Sequence, residues 1–243
     1  KGKLRMNKKY HYGKEHGLIE IYYENGKIRE RSYMKNGKYN GKFRSYYKEY
    51  DDGALQKEFS YSQGKIIGEF TAYYPSGSIM IKANYSNDSL NGRYIKFYDC
   101  EKKNKQGPIY QSGIYENGRK KGIWKSFYDS GKLYTEGKYK NGKFDGNWLI
   151  YHENGNIKQK GNYEEGSAEG LFKMYYSSGQ LKNSGIFRDN KKEGIWKTYY
   201  KNGNLMSEIQ FEYGDRIGEA IAYDEEGNIV EKKYFNPDDT KNQ

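Results

Sequence analysis

Residues 122–145 read GIWKSFYDSGKLYTEGKYKNGKFD, and residues 146–169 read GNWLIYHENGNIKQKGNYEEGSAE. Laid over each other, the two segments share an opening glycine, a tryptophan two residues later (Trp124, Trp148), a ring at Phe127 and Tyr151, and glycines at Gly131/Gly155, Gly137/Gly161 and Gly142/Gly166. Self-similarity at a fixed period is the signature of a repeat architecture. The opening glycine recurs at Gly17, Gly41, Gly68, Gly92, Gly122, Gly146, Gly170, Gly194 and Gly218, at intervals of 24, 27, 24, 30, 24, 24, 24 and 24 residues. Each unit carries two turn signals, Asn154-Gly155 or Asn202-Gly203 in its first half and Asn36-Gly37, Asn117-Gly118 or Asn141-Gly142 in its second. Asn-Gly suits the type I′ turn, whose two central residues need positive φ. Each unit is therefore two antiparallel strands.

Both long units keep their second halves unchanged and lengthen only the first turn, at Lys48–Asp52 and Asp99–Gln106. The insertions thus fall on one edge of the sheet. Pro75 and Pro108 flank first turns, where a missing N–H is tolerable. A two-residue first turn at Ser130-Gly131 predicts Trp124 opposite Gly137, Ser126 opposite Thr135, and Tyr128 opposite Leu133, all on one face. The same rule sets Trp148 against Gly161, Phe172 against Gly185, Phe70 against Ala83 and Tyr94 against Gly113. A large ring opposite a residue with little side chain can lie across the partner backbone. This face is ring-rich, continued by Tyr61, Tyr85, Tyr115, Tyr139, Tyr163, Phe187, Phe211 and Phe235. The other face reads as polar apart from one repeated ring: Tyr22, Tyr46, Tyr73, Phe97, Phe127, Tyr151, Tyr175, Tyr199 and Tyr223.

The expected fold is all-β, an elongated single-layer antiparallel β-hairpin repeat, solenoid-like and twisted, of about nine and a half 24-residue units. At about 10 Å of sheet per unit, a ribbon of roughly 90 Å is expected. The array runs over residues 1–235, with a partial repeat at 1–16, units opening at the nine glycines above, and a tail at 236–243. Gly2-Lys3-Leu4 aligns with Gly131-Lys132-Leu133 and Tyr10 with Tyr139, so the given chain begins inside a hairpin. A natural protein that continues upstream, or one whose first strand was removed, is expected.

Composition agrees with a sheet whose apolar burial comes from rings. Leu, Ile, Val and Phe supply only 39 of 243 residues, whereas Tyr alone supplies 29. Low aliphatic content with a net charge of +11 would by itself suggest disorder; the aromatic fraction of 17% argues against it. No apolar run is long enough for a membrane-spanning helix. A single cysteine, Cys100, excludes an intramolecular disulfide and any cysteine-built zinc site.

The pattern G-x-[WF]-x-x-[YF]-Y-x-x-G-x-[LI]-x-x-x-G-x-Y-x-x-G-x-x-x-G resembles the MORN-repeat variant of bacterial proteins, many catalogued as YwqK-type toxin-antitoxin antitoxins. The unit at Gly41 departs from it with Phe59 at the small position, and that at Gly218 with Ala220 and Asp224 at ring positions. The resemblance implies a run of hairpins that serves as an interaction surface, with no catalytic residues and with exported or surface-associated relatives.

Catalysis is not expected. His11 and His16 fall in the partial repeat and His152 in a distant unit, where it occupies a position that is Tyr in most others. No nucleophile triad, phosphate loop or metal-ligand spacing is present, and no cofactor is expected. Glu/Lys alternation on the polar face reads as cross-strand charge pairing. Nucleic acid is disfavoured because Lys102-Lys103-Asn104-Lys105, Arg119-Lys120-Lys121 and Lys191-Lys192 have acids nearby and sit at turns of either edge. The expected role is a non-enzymatic repeat protein that presents its sheet to another protein, with antitoxin action as one specific form. The alternative is an exported cell-surface or envelope module that recognises glycan or host components through the ring ladder. An exported location is favoured over the cytoplasm. The candidate partner-binding residues are the ladder rings Tyr151, Tyr175 and Tyr199, together with Tyr50, Asp51, Asp52, Lys102, Lys103 and Lys105 of the enlarged turns.

Overall fold

The computed structural model describes residues 4–49, 53–100 and 105–236. Every regular element among them is a β-strand, and every pairing is antiparallel. The residues fall into two compact units, one formed by 1–121 with 129–131 and the other by 122–128 with 132–243.

In the first unit, Met6–Asn7 pairs with Gly17–Tyr22, which pairs with Ile28–Lys35, and pairing then proceeds strand by strand to Ile109–Glu116. Met6 faces Ile21 as Thr135 faces Ile150, so the partial first repeat pairs like a complete one. Tyr10–His11 and Lys14–Glu15 form a small separate hairpin. In the second unit the same succession runs from Gly122 to Ile229–Phe235. Strands form here because rings and β-branched residues alternate with polar ones between turn residues.

The two turns of a repeat differ in kind. The second is the two-residue type I′ turn that Asn-Gly favours: Lys140 pairs with Lys143, and Asn141 and Gly142 hold φ of 52° and 83°. The Gly166 N–H of the next such turn donates to the Phe144 carbonyl at 2.8 Å, which stacks consecutive hairpins. The first turn is longer than the two residues expected. His152 N–H donates to Asn156 O at 2.8 Å, and Gly155 N–H donates to His152 O at 2.9 Å, with φ of 93° at Gly155. This is a three-residue loop, a type I turn closed by a left-handed glycine, which brings a bulge with it. Asn154 consequently does not need positive φ.

The bulge corrects the expected register at one end of every hairpin. Trp124 opposes Gly137 and Ser126 opposes Thr135 as expected, but Leu133 opposes Phe127 rather than Tyr128. Leu133 therefore leaves the ring-rich face and joins the ladder face. The same exchange pairs Tyr22 with Ile28, Tyr73 with Ile79, Tyr151 with Ile157, Tyr175 with Leu181 and Tyr199 with Leu205. The ladder face is thus not polar apart from one ring; it carries a ring and an aliphatic side chain in each hairpin. The lengthened turns close at the equivalent place, through Tyr47 N–H to Ala54 O and Tyr98 N–H to Pro108 O, each at 2.9 Å.

The ring-rich face is the core. Trp124, Phe172, Trp196 and Phe211 are buried in the second unit, and Phe43, Phe59 and Ala83 in the first. Phe59, at a position that is glycine in the regular repeats, stacks between Phe43 and Phe70 with centroids 4.7 and 5.5 Å away. Rings also cover the glycines, but from the opposite side to that expected. A Cβ on Gly161 would lie 2.2 Å from Phe172 Cε1, and one on Gly137 would lie 1.7 Å from Trp148 Cε3. Each ring leans onto the glycine of the hairpin before it, so Trp148 covers Gly137 and not Gly161. Trp148 itself stays partly exposed.

Candidate interaction surface

The ladder face of the second unit is built from alternation in consecutive strands, which sends Leu171, Lys173 and Tyr175 to the side opposite Phe172. Tyr151, Tyr175 and Tyr199 form the expected row, one ring per hairpin, and all three are half-buried. Burial comes from their cross-strand partners Ile157, Leu181 and Leu205 and from lysine stems such as that of Lys160, whose Nζ lies 5.7 Å from the Tyr175 centroid.

The residue after each ladder ring ties one hairpin to the next. Tyr128 Oη donates to the Tyr151 carbonyl at 2.7 Å, Tyr176 Oη to Tyr199 O at 2.8 Å, and Tyr200 Oη to Tyr223 O at 2.7 Å. His152 takes this place in its own repeat, with Nε2 2.9 Å from the Tyr175 carbonyl. The imidazole therefore acts as a structural stand-in for tyrosine. The first unit repeats the device at Tyr23, Tyr47 and Tyr74.

Charges on this face neutralise each other across strands. Lys125 pairs with Glu136 at 3.1 Å and Lys197 with Glu208 at 2.7 Å, and the hydrogen bond to Glu208 holds the Lys197 ammonium above the ordinary lysine range. In the first unit Arg44 and the Tyr73 hydroxyl converge on Glu58, each at 3.1 Å. Burial first, and then the Glu58 carboxylate, push Tyr73 up to about 12. Among the described residues no cluster of three or more His, Cys, Asp or Glu side chains could hold a metal ion. Among the described residues no helix is long and apolar enough to cross a membrane.

Between the paired charges and the second turns lies a feature the sequence pattern did not single out. Leu171 faces Ile186 across adjacent strands, with Ile195 on the next strand, and the three are 54%, 46% and 57% exposed. Their alternation matches that of Tyr175 and Tyr199, so they extend the ladder face with an aliphatic patch. Single exposed aliphatics are commonplace, whereas neighbours on three consecutive strands form a patch of the kind that marks an interaction surface.

The enlarged turns are less fully placed. Tyr50, Asp51, Asp52, Lys102 and Lys103 lie outside the described residues. Lys105 is exposed in the first unit, beside a firmly held loop base. There the Ser76 and Ser78 hydroxyls donate to Asp99 Oδ1 at 2.6 and 2.9 Å. Gln106 exchanges two hydrogen bonds with the Ile79 backbone at 2.9 and 3.0 Å, in the manner of a strand. Burial would raise the Asp99 carboxyl, but the two hydroxyls and the Cys100 N–H bring it below the ordinary range.

Successive antiparallel hairpins with a ring-on-glycine core define an all-β repeat protein. The chain belongs to the MORN repeat variant family, whose model matches residues 15–36, 66–87, 120–141, 144–165, 168–189 and 192–213, together more than half of the sequence. No curated protein matches the chain. Among solved structures, one described as "Crystal Structure of TcdB2-TccC3-Cdc42" is similar at 11% identity and a TM-score of 0.21, over 99% of this chain and 16% of that one. Another, "Crystal Structure of TcdB2-TccC3", is similar at 11% identity and a TM-score of 0.18, over 98% of this chain and 18% of that one. The chain spans less than a fifth of either.

Proposed function

We propose that this chain is a non-enzymatic scaffold that binds another protein through the ladder face of its sheet. The observation that carries the reading is the exposed patch of Leu171, Ile186 and Ile195 beside the half-buried row of Tyr175 and Tyr199. Protein partners gain from burying aliphatic area, whereas sugars need open ring faces, and these rings are flanked by aliphatic side chains. The self-neutralised lysines and glutamates also disfavour a polyanion on this face. Antitoxin action, the capture of a toxin polypeptide, is the specific form that the YwqK resemblance suggests.

The test is an I186E/I195E variant, which alters exposed positions and leaves the ring core intact. Partners cross-linked to the wild type are identified, purified and titrated against both proteins, with a glycan array in parallel. A purified protein that binds the wild type and loses at least tenfold in affinity with the variant supports the reading. A partner that binds both equally, or binding confined to glycans, refutes it.

A further inference from the structure

The last hairpins of the second unit break the ring pattern on the core face, and the breaks coincide. Elsewhere in this unit a ring such as Phe172 or Trp196 occupies the third position of each repeat, and glycine (Gly137, Gly161, Gly185) the sixteenth, except that the repeat from Gly194 has Ile209 there. In the final repeat these become Ala220 and Lys233, which pair with each other. One step along the sheet, Tyr139 pairs with Phe144 and Tyr163 with Ala168, but Phe187 pairs with Lys192 and Phe211 with Arg216. An apolar row thus turns cationic over the last two repeats, the second of which lacks the large ring at its third position.

The result is a groove of about 860 Å³. Rings of Phe187, Phe211 and Phe235 line it together with Lys192, Arg216 and Lys233. Lys191 adds a further cation, and Asp215 is the one carboxylate in its lining. Lys192 Nζ lies 4.6 Å from the Trp196 centroid and 4.8 Å from that of Phe211. Arg216 and Lys233 lie over Phe235 at 5.7 and 5.0 Å. Among the described residues none of these three cations has a carboxylate within ion-pair distance, unlike Lys197 or Lys232 on the other face. Burial, and then the charge of Arg216, lower the Lys192 ammonium below the ordinary lysine range, as expected of a cation facing another cation.

We propose that this groove is a docking site for an acidic extended segment of a partner protein. These three cations come from different strands, one to three strand spacings apart, so their stems are set about 5 to 14 Å apart across the sheet. One phosphate or carboxylate cannot span that distance, but side chains on alternate residues of an extended chain, about 7 Å apart, can follow it. Rings beside the cations supply apolar contact for the methylene stems of those side chains. The groove is on the face opposite Leu171, Ile186 and Ile195, so it is independent of the scaffold surface proposed above. A polar terminal hairpin could also serve merely to cap the repeat and keep it soluble; capping by itself gives no saturable affinity for acidic peptide.

The probe is the labelled heptapeptide Glu-Ser-Glu-Phe-Glu-Ser-Glu, titrated against the full chain by anisotropy and by tryptophan fluorescence. Tripolyphosphate and a Lys-for-Glu peptide serve as comparison ligands. Saturable binding is expected, weakening with salt. It should fall at least about tenfold in R216A/K233A, because two charged contacts are lost, and stay within about twofold in K232A, which removes one charge from the same strand on the opposite face. I186E/I195E should bind the peptide like the wild type, which separates this site from the ladder face. Circular dichroism confirms that each variant is folded. The proposal is overturned by absence of saturable binding, by equal losses in R216A/K233A and K232A, or by tripolyphosphate binding as tightly as the peptide. A D238N/D239N variant that binds the peptide tenfold more tightly would overturn it as well, by assigning the groove to the chain's own acidic pair.

Discussion

Replacing Gly137 by alanine adds one methyl group where Trp148 already lies. The added Cβ would stand 1.7, 2.3 and 2.4 Å from Trp148 Cε3, Cζ3 and Cδ2. The indole must withdraw by about 2 Å to reach ordinary van der Waals separation. Overpacking of this kind costs about 1–3 kcal/mol, and complete expulsion of a buried tryptophan about 3–5. Because Trp148 is already partly exposed, the expected cost is about 2–3 kcal/mol. With a urea dependence of about 2 kcal/mol per molar, the midpoint should fall by about 1 M. Gly122→Ala provides the contrast. Its Cβ would meet nothing within 4 Å, but its φ of 68° penalises any side chain, by about 1 kcal/mol. A double-mutant cycle of G137A with W148A should show coupling of about 1 kcal/mol or more, since the clash disappears with the ring. Urea unfolding followed by circular dichroism measures the wild type and all four variants. A G137A midpoint indistinguishable from the wild type, or strict additivity with W148A, would refute the ring-on-glycine packing.

Tyr176→Phe removes the hydroxyl that donates to Tyr199 O at 2.8 Å and should destabilise by about 1 kcal/mol in urea unfolding, whereas Tyr134→Phe, an exposed ring, should not. Tyr73 titrates at about 12 in the fold against about 10 when unfolded, so its contribution is complete below pH 10 and is lost as pH rises from 10 through 12. Y73F should flatten the fall in stability across that window, and E58Q should flatten it in part; the midpoint measured against pH checks both. Asp99→Ala should raise the rate of Cys100 labelling by a thiol reagent severalfold, because Asp99 holds the Cys100 N–H and both serines; an unchanged rate would show that the loop base does not depend on it.

What was legible in the residues is what repeats locally. The 24-residue spacing of glycines, the two strands per unit, the shared edge of the insertions and the pairing of Trp124 with Gly137 all follow from period and alternation, because both are carried by neighbouring residues. The tertiary structure decided three things. One extra residue in the first turn moved Leu133 and its counterparts to the ladder face, since a strand inverts its facing at each odd insertion and Asn-Gly permits more than one turn. Packing between hairpins decided that Trp148 leans onto Gly137 rather than Gly161, a choice that pairing leaves open because each glycine lies between two rings. Non-local pairing brought Lys192, Arg216 and Lys233 into one ring-walled groove, and Leu171, Ile186 and Ile195 into one exposed patch. Such clusters draw single residues from separate repeats, and only strand pairing sets the distances between them.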